Sequence, residues 1–116
     1  MVANLVDMAK LVERMEGDQD LINEVFDMFV EEAPARRVKF QAALAGQDAQ
    51  AVVMLAHSLK GASGTLHCEP LRQACFELEH AARAADQEQV SALTPPVLDL
   101  LEKTAAWMAA YRKQGA

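Results

Sequence analysis

The chain has 116 residues, of which 52% are hydrophobic and 24% are charged, so it is long enough for one hydrophobic core but short for several domains. Its formal net charge of −6 argues against a nucleic-acid partner, because contact with a phosphate backbone requires a broad basic surface. The sequence contains no run of about 18 or more apolar residues and no N-terminal signal segment, which leads us to expect a cytoplasmic protein with a single domain over residues 1–116.

Amino acids that favour helices dominate the composition. Ala, Leu, Met, Glu, Gln and Arg are frequent, whereas aromatic residues make up only 5% of the chain. The frequent side chains lose little rotamer freedom in a helix. The composition therefore predicts an all-α fold.

The N-terminal part of the chain predicts three helices. Asn4 can cap a first short helix, which Gly17 ends. Asp18 can cap a second helix, whose apolar face stops before Pro34. Since proline fits the first turn of a helix, we expect Pro34 to begin a third helix and Gly46 to end it.

Three more helices are predicted in the C-terminal part. A fourth helix covers residues 49–66, and Pro70 begins a fifth. A sixth keeps its apolar phase across Pro95 and Pro96, which must kink or restart it, and we expect a kinked helix. Because short turns join the long helices, the sequence predicts an antiparallel four-helix bundle with additional short N-terminal helices.

The fourth predicted helix carries one continuous apolar stripe. Its members recur at the spacing of one helix face: Val52, Leu55, Ala56, Leu59, Ala62, Ser63 and Leu66. At about 100° per residue His57 lies on the opposite side, so its imidazole is expected to face solvent. An unperturbed imidazole, with a pKa near 6.5, is a nitrogen nucleophile at neutral pH without a base to ionise it. His57 is therefore the candidate nucleophile.

Two glycines share the exposed side of this helix with His57. Gly61 and Gly64 follow it by one and two turns, although a glycine inside a helix costs about 1 kcal/mol relative to alanine. Bare helix surface lets the backbone of another protein come close, while Val53 and Met54 on the same side offer an apolar anchor. The sequence therefore predicts a surface around His57 on which a protein docks.

Cations are predicted near His57. Lys60, three residues later, points over the same patch and can neutralise the oxygens of a phosphoryl group attached to the imidazole. The expected register between the third and fourth helices places Arg37 near the height of His57, with Arg36 and Lys39 close by. These three residues are secondary candidates for neutralising the phosphoryl group.

Other chemical machinery is not evident in the sequence. Metal-binding carboxylate motifs and a Gly-rich phosphate loop are missing, so we expect the chain to bind neither ATP nor Mg²⁺ by itself. A partner must then supply those parts. Cys68 and Cys75 are seven residues apart, about 10 Å along a helix, which is too far for a disulfide between them. Both are therefore expected to be reduced.

The run from Ala56 to Leu66 resembles the signature of histidine phosphotransfer (HPt) domains, in which an alanine-histidine pair is followed by Leu-Lys-Gly and small residues. The resemblance covers most of the chain. It implies a four-helix bundle whose His57 exchanges phosphoryl groups with aspartates of receiver domains in a bacterial-type phosphorelay, assisted by Lys60. His67 departs from the pattern, which usually has a glycine at that helix end.

The resemblance also implies a partner and a cofactor. The receiver domain would carry the Mg²⁺ that this chain lacks. We expect a stand-alone, monomeric carrier that diffuses between hybrid sensor kinases and response regulators.

Two other functions stay open. One is a helical adaptor that binds receivers or other proteins through Val53, Met54 and Gly64 without chemistry. The other is a metal-binding bundle, although its candidate ligands do not follow the spacing of a zinc finger or ribbon: His67, Cys68, Cys75 and His80. Charged residues of the fifth predicted helix are interpreted as a solvated face without a function: Arg72, Glu77, Glu79 and Arg83.

Overall fold

A computed structural model describes residues 4–114 of the chain, and all regular secondary structure in that range is helical. The helices are α1 (Met8–Arg14), α2 (Gln19–Ala45), α3 (Ala49–Thr65), α4 (Glu69–Arg83) and α5 (Gln87–Gln114). Turns of three residues join α2 to α3, α3 to α4 and α4 to α5, so neighbouring helices run antiparallel. The last helix, α5, also packs against α2, which completes the bundle of four long helices. The predicted all-α bundle is confirmed.

The inward side of α3 is the predicted apolar stripe. Asp48 caps this helix by accepting a hydrogen bond from the backbone N–H of Ala51. Val52, Ala56 and Leu59 are fully buried in the core. The Ser63 hydroxyl, also buried, donates to the Leu59 carbonyl at 2.7 Å, which satisfies the one polar side chain of the stripe. The opposite side of α3 therefore faces away from the core.

The first helix begins later than predicted. Asp7, and not Asn4, is its N-cap, since the Asp7 carboxylate accepts the backbone N–H of Lys10. Leu11 is fully buried, and the Asp7 backbone N–H donates to the His67 carbonyl. These contacts tie α1 to the turn between α3 and α4.

The predicted break at Pro34 is wrong. Gln19–Ala45 is one helix, and the predicted third helix is its C-terminal half. A proline inside a helix costs about 3 kcal/mol, because it removes a hydrogen bond and clashes with the preceding turn. Phe29 and Phe40, on either side of the proline, are both buried against the bundle, whereas Pro34 itself is exposed. Burial on both sides offsets the cost and keeps the helix continuous.

The last helix passes through its two prolines. Gln87–Gln114 is continuous across Pro95 and Pro96, which are both exposed, as the prediction of one helix required. Thr94, immediately before them, is buried and donates its hydroxyl to the Val90 carbonyl at 2.7 Å. The kink itself stays a prediction.

Four helix ends place a residue other than glycine in the left-handed conformation. Each φ lies between 52° and 55°: Glu16, Gln47, His67 and Ala85. At His67 the backbone therefore adopts the conformation for which the HPt pattern has glycine. The departure from that pattern leaves the helix end intact.

Replacing Ala85 with glycine is expected to raise the free energy of unfolding by about 1 kcal/mol, because the Cβ of an L-residue is crowded in this conformation. Ala84, with a φ of −79°, is the matched control, and its replacement by glycine should not stabilise the protein. Urea denaturation of the two variants measures the difference. Equal changes in both would contradict the assignment of strain to residue 85.

Candidate functional site

His57 lies in the middle of α3 on the side away from the core. Its neighbours Ala56 and Leu59 are fully buried, whereas 65% of the His57 side chain is exposed. The imidazole therefore has the outward orientation that the helical spacing predicts.

Glu79 of α4 lies beside this imidazole. One of its carboxylate oxygens, Oε2, is 3.1 Å from His57 Nδ1, and the residue is only 5% exposed. An ionised carboxylate can only accept hydrogen bonds, so the contact requires the proton on Nδ1. In the neutral ring the lone pair is then on Nε2.

Two cations hold the Glu79 carboxylate. Lys60 Nζ lies 2.8 Å from Oε1 and forms an ion pair with it. Arg83 donates to Oε2 from Nε at 3.1 Å and from Nη2 at 2.7 Å. The pKa of Glu79 is lowered to about 2, mainly by Lys60 and further by the hydrogen bonds from Arg83 and His57. Burial of the carboxyl group acts in the opposite direction. Glu79 is therefore ionised at neutral pH.

The interpretation of Glu79 as part of a solvated face is wrong. The residue follows Leu78 and lies one turn after Cys75, both of which belong to the buried side of α4. A carboxylate at the edge of a buried stripe needs partners, and the sequence places Arg83 one turn further on. The location of Glu79 at the edge of the apolar stripe, one turn before Arg83, is the sequence feature from which a partnered carboxylate could have been predicted.

The low pKa of Glu79 makes a prediction for stability. A carboxyl group whose pKa is lower in the folded protein stabilises the fold above its unfolded value, and this contribution is lost as the pH falls through the folded value. Glu79→Gln is therefore expected to be destabilising at pH 6, by at most about 3 kcal/mol, and to have little effect near pH 2. The free energy of unfolding, measured in urea at both pH values, tests this. An equal difference from the unsubstituted protein at both values would contradict it.

Lys60 is held next to the imidazole from two sides. Besides its ion pair with Glu79, its Nζ lies 5.8 Å from the centre of the Phe76 ring, within the range of a cation–π contact. Its 2.8 Å contact with Glu79 Oε1 makes the largest contribution to the lowered pKa of that carboxyl group. The Lys60 side chain is 27% exposed. An anion on the exposed imidazole can therefore compete with Glu79 for the partly exposed ammonium.

The three secondary cations of α2 point in different directions. Arg36 donates to the Ser58 hydroxyl at 3.3 Å and pairs with Glu32, so it reaches α3 beside His57. Lys39 lines the groove between α2 and α3. Arg37 pairs with Glu102 of α5 and is turned away from α3. Of the three, Arg36 and Lys39 are the ones brought to α3.

The predicted docking residues form an open surface along α3. Met54 is 70% exposed, and Val53 and Met54 line a groove between α3 and α4 together with His57. A Cβ on Gly61 would meet nothing within 4 Å, whereas a Cβ on Gly64 would lie 3.6 Å from the Arg72 side chain. The bare helix surface is therefore centred on Gly61 and is flanked by Arg72 at Gly64.

Two apolar side chains that the sequence did not single out extend this surface. Met28 of α2 and Phe76 of α4 are both about half exposed. Met28 and Gly61 line the same groove, and Phe76 lies beside Lys60. With Met54, three helices thus each place an exposed apolar side chain next to the His57 region.

The candidate metal ligands do not form a site in the described part of the chain. Among residues 4–114, no three His, Cys, Asp or Glu side chains are arranged to hold a metal ion. Cys68 and Cys75 are both free and fully buried, and burial raises the pKa of each thiol to about 12. The four candidate ligands are therefore not brought together. Of the helices described, none is both long and apolar enough to span a membrane.

Comparisons with known proteins agree on one family. The sequence matches the Hpt domain family over residues 24–110. The structure is similar to histidine-containing phosphotransfer protein B (HptB) from Pseudomonas aeruginosa PAO1, with a TM-score of 0.87 and 28% identity over 97% of this chain and 98% of that one.

A second solved structure shows the same fold. The HPT domain of an Hpt sensor hybrid histidine kinase from Shewanella has a TM-score of 0.85 and 22% identity over 95% of each chain. The comparison with curated proteins found no match. Since the family match covers more than half of its residues, this chain belongs to the Hpt domain family, which carries out histidine phosphotransfer with receiver domains in phosphorelays.

Proposed function

We propose that His57 accepts a phosphoryl group on Nε2 from the receiver domain of a hybrid sensor kinase and passes it to an aspartate of a response regulator. The observation that carries this proposal is the exposed imidazole whose Nδ1 contacts the buried, ionised carboxylate of Glu79. That contact leaves Nε2 as the free nucleophile on the open surface.

The transfer is a displacement at phosphorus. The lone pair of His57 Nε2 attacks the phosphorus of an aspartyl phosphate, and a P–N bond forms while the bond from phosphorus to the aspartyl oxygen breaks. The aspartate leaves as a carboxylate with that electron pair. Nδ1 keeps its proton, so the ring becomes positively charged, and the Glu79 carboxylate 3.1 Å away stabilises it. Onward transfer reverses these changes with the aspartate of the second receiver as the nucleophile.

Lys60 is proposed to neutralise the oxygens of the phosphoryl group. It lies one turn from His57, and its ammonium is partly exposed on a flexible stem, so it can turn toward an anion on the ring. Arg36 and Lys39 are weaker candidates for this role. Arg37 is not favoured, because its ion pair with Glu102 turns it toward α5. The Mg²⁺ that stabilises the transferring oxygens is proposed to come with the receiver.

The surface around His57 is proposed to dock the receiver. Val53, Met54, Gly61 and Gly64 supply an apolar anchor and bare helix, and the exposed Phe76 extends the apolar area. Apolar contact with a few charged groups around it suits a transient protein interface.

Replacing Gly61 with glutamine is expected to weaken receiver binding about tenfold, because the new side chain stands where the partner backbone comes close. The same change should keep or raise the melting temperature, since glutamine favours a helix over glycine by roughly 0.5–1 kcal/mol. Ala92→Gln on the exposed side of α5 is the matched control. Affinity is measured by titration with the receiver that exchanges phosphate fastest with this protein. Unchanged affinity in the Gly61 variant would refute the close approach.

The proposed function is tested by transfer from a phosphorylated receiver. The purified protein is incubated with the phosphorylated receiver domain of each hybrid sensor kinase of the host, with Mg²⁺ present. We expect label to move to this chain, to survive alkali and to be lost in acid, as a P–N bond requires. Absence of label with every receiver, or a label that survives acid, would overturn the proposal.

A further inference from the structure

We infer that Arg83 is a positioning residue, which orients the Glu79 carboxylate so that the His57 proton stays on Nδ1 and Nε2 stays free. This inference rests on the proposed function, because Arg83 acts on the nucleophile through Glu79. It assigns a role to a residue that the sequence pattern placed on a solvated face.

The argument starts from which oxygen each partner contacts. Arg83 donates both of its hydrogen bonds to Glu79 Oε2, at 2.7 and 3.1 Å. The same Oε2 accepts from His57 Nδ1, whereas Lys60 lies against the other oxygen, Oε1. Arg83 and His57 thus share one oxygen, and the orientation of the carboxylate decides whether that oxygen faces the imidazole.

Lys60 cannot fix that orientation alone. Its ammonium is a compact cation on a flexible stem whose donors rotate, so the 2.8 Å contact with Oε1 does not fix the plane of the carboxylate. Arg83 is different, because a planar guanidinium donates in fixed directions. It also lies one turn after Glu79 on α4, so the helix sets the distance between the two residues. The Arg83 contact is therefore the directed restraint on the carboxylate.

The surroundings of Arg83 make this role separable from a structural one. Its side chain is 59% exposed and lines the groove beside His57 and Met54. Truncating it leaves no cavity in the core. The consequence of truncation should therefore be found at the imidazole and not in the packing of the bundle.

The test is the tautomer of His57 in the unphosphorylated protein, measured from the nitrogen chemical shifts of the ¹⁵N-labelled imidazole. The Nδ1–H form is expected to dominate in the unsubstituted protein. In Arg83→Ala its ratio to the Nε2–H form should fall about fivefold, the effect of one hydrogen bond of ordinary net strength. Arg83→Lys should restore at least half of the lost ratio, since lysine keeps a cationic donor.

Arg72→Ala is the matched control, because Arg72 lies on the same helix and pairs with Glu69. An unchanged tautomer ratio in Arg83→Ala, an equal change in Arg72→Ala, or no recovery in Arg83→Lys would each overturn the inference. Arg83→Gln gives a second variant if the alanine form does not fold. The readout needs no phosphoryl donor, so failure of transfer in the unsubstituted protein would remove the proposed function without changing this result.

Discussion

Replacing His57 with glutamine is expected to abolish phosphoryl transfer to this chain. Glutamine has a similar length and can still donate a hydrogen bond to Glu79, so the fold and the neighbouring charges should stay in place. An amide nitrogen has no available lone pair for attack on phosphorus, and no label should form. The measurement is the acid-labile label acquired from a phosphorylated receiver.

His80→Gln is the matched control for this substitution. His80 is a second exposed histidine, and it lies on α4 next in sequence to Glu79. Its variant should label like the unsubstituted protein. Persistent labelling of the His57 variant, or loss of label in the His80 variant, would mean that a residue other than His57 carries the phosphoryl group.

Removing the Glu79 side chain is expected to slow transfer by about 100-fold, the loss typical of a group that stabilises charge developing in the transition state. Glu79→Ala removes both the acceptor that fixes the proton on Nδ1 and the negative charge that balances the phosphorylated ring. Glu79→Gln keeps an acceptor but not the charge, so it should lose about tenfold. The pair of variants separates orientation from charge.

The rates are to be measured at neutral pH in rapid-quench experiments with one receiver. Glu77→Ala, an exposed glutamate on the same helix, is the control and should leave the rate unchanged. Transfer by the Glu79→Ala variant within twofold of the unsubstituted rate would mean that the imidazole needs no carboxylate partner. A melting curve of each variant confirms that the folded protein is compared.

Periodicity within one helix predicted the centre of the site. The buried residues of α3 and the outward direction of His57 follow from a 3.6-residue repeat and need no knowledge of the other helices. Local rules failed at Pro34, where burial of Phe29 and Phe40 against the rest of the bundle outweighs the local cost of proline. A tertiary effect of this kind is not visible in a single segment.

The partners of His57 depend on how helices pack. Glu79 reaches the imidazole because α4 runs antiparallel beside α3, and the sequence alone does not give that register. Arg36 and Arg37 show how sensitive such contacts are. Consecutive side chains of a helix point about 100° apart, so Arg36 reaches Ser58 on α3 while Arg37 pairs with Glu102 on α5. A register estimated to within one or two residues cannot choose between them.

The most direct test is to identify the atom that carries phosphorus. The ¹⁵N-labelled protein is phosphorylated by its receiver, and the coupling between phosphorus and nitrogen is measured by NMR in alkaline solution. A single phosphorus bonded to His57 Nε2 is the expected result, because Glu79 holds the proton on Nδ1. Phosphorus on Nδ1 of His57, or on any other residue, would contradict the account.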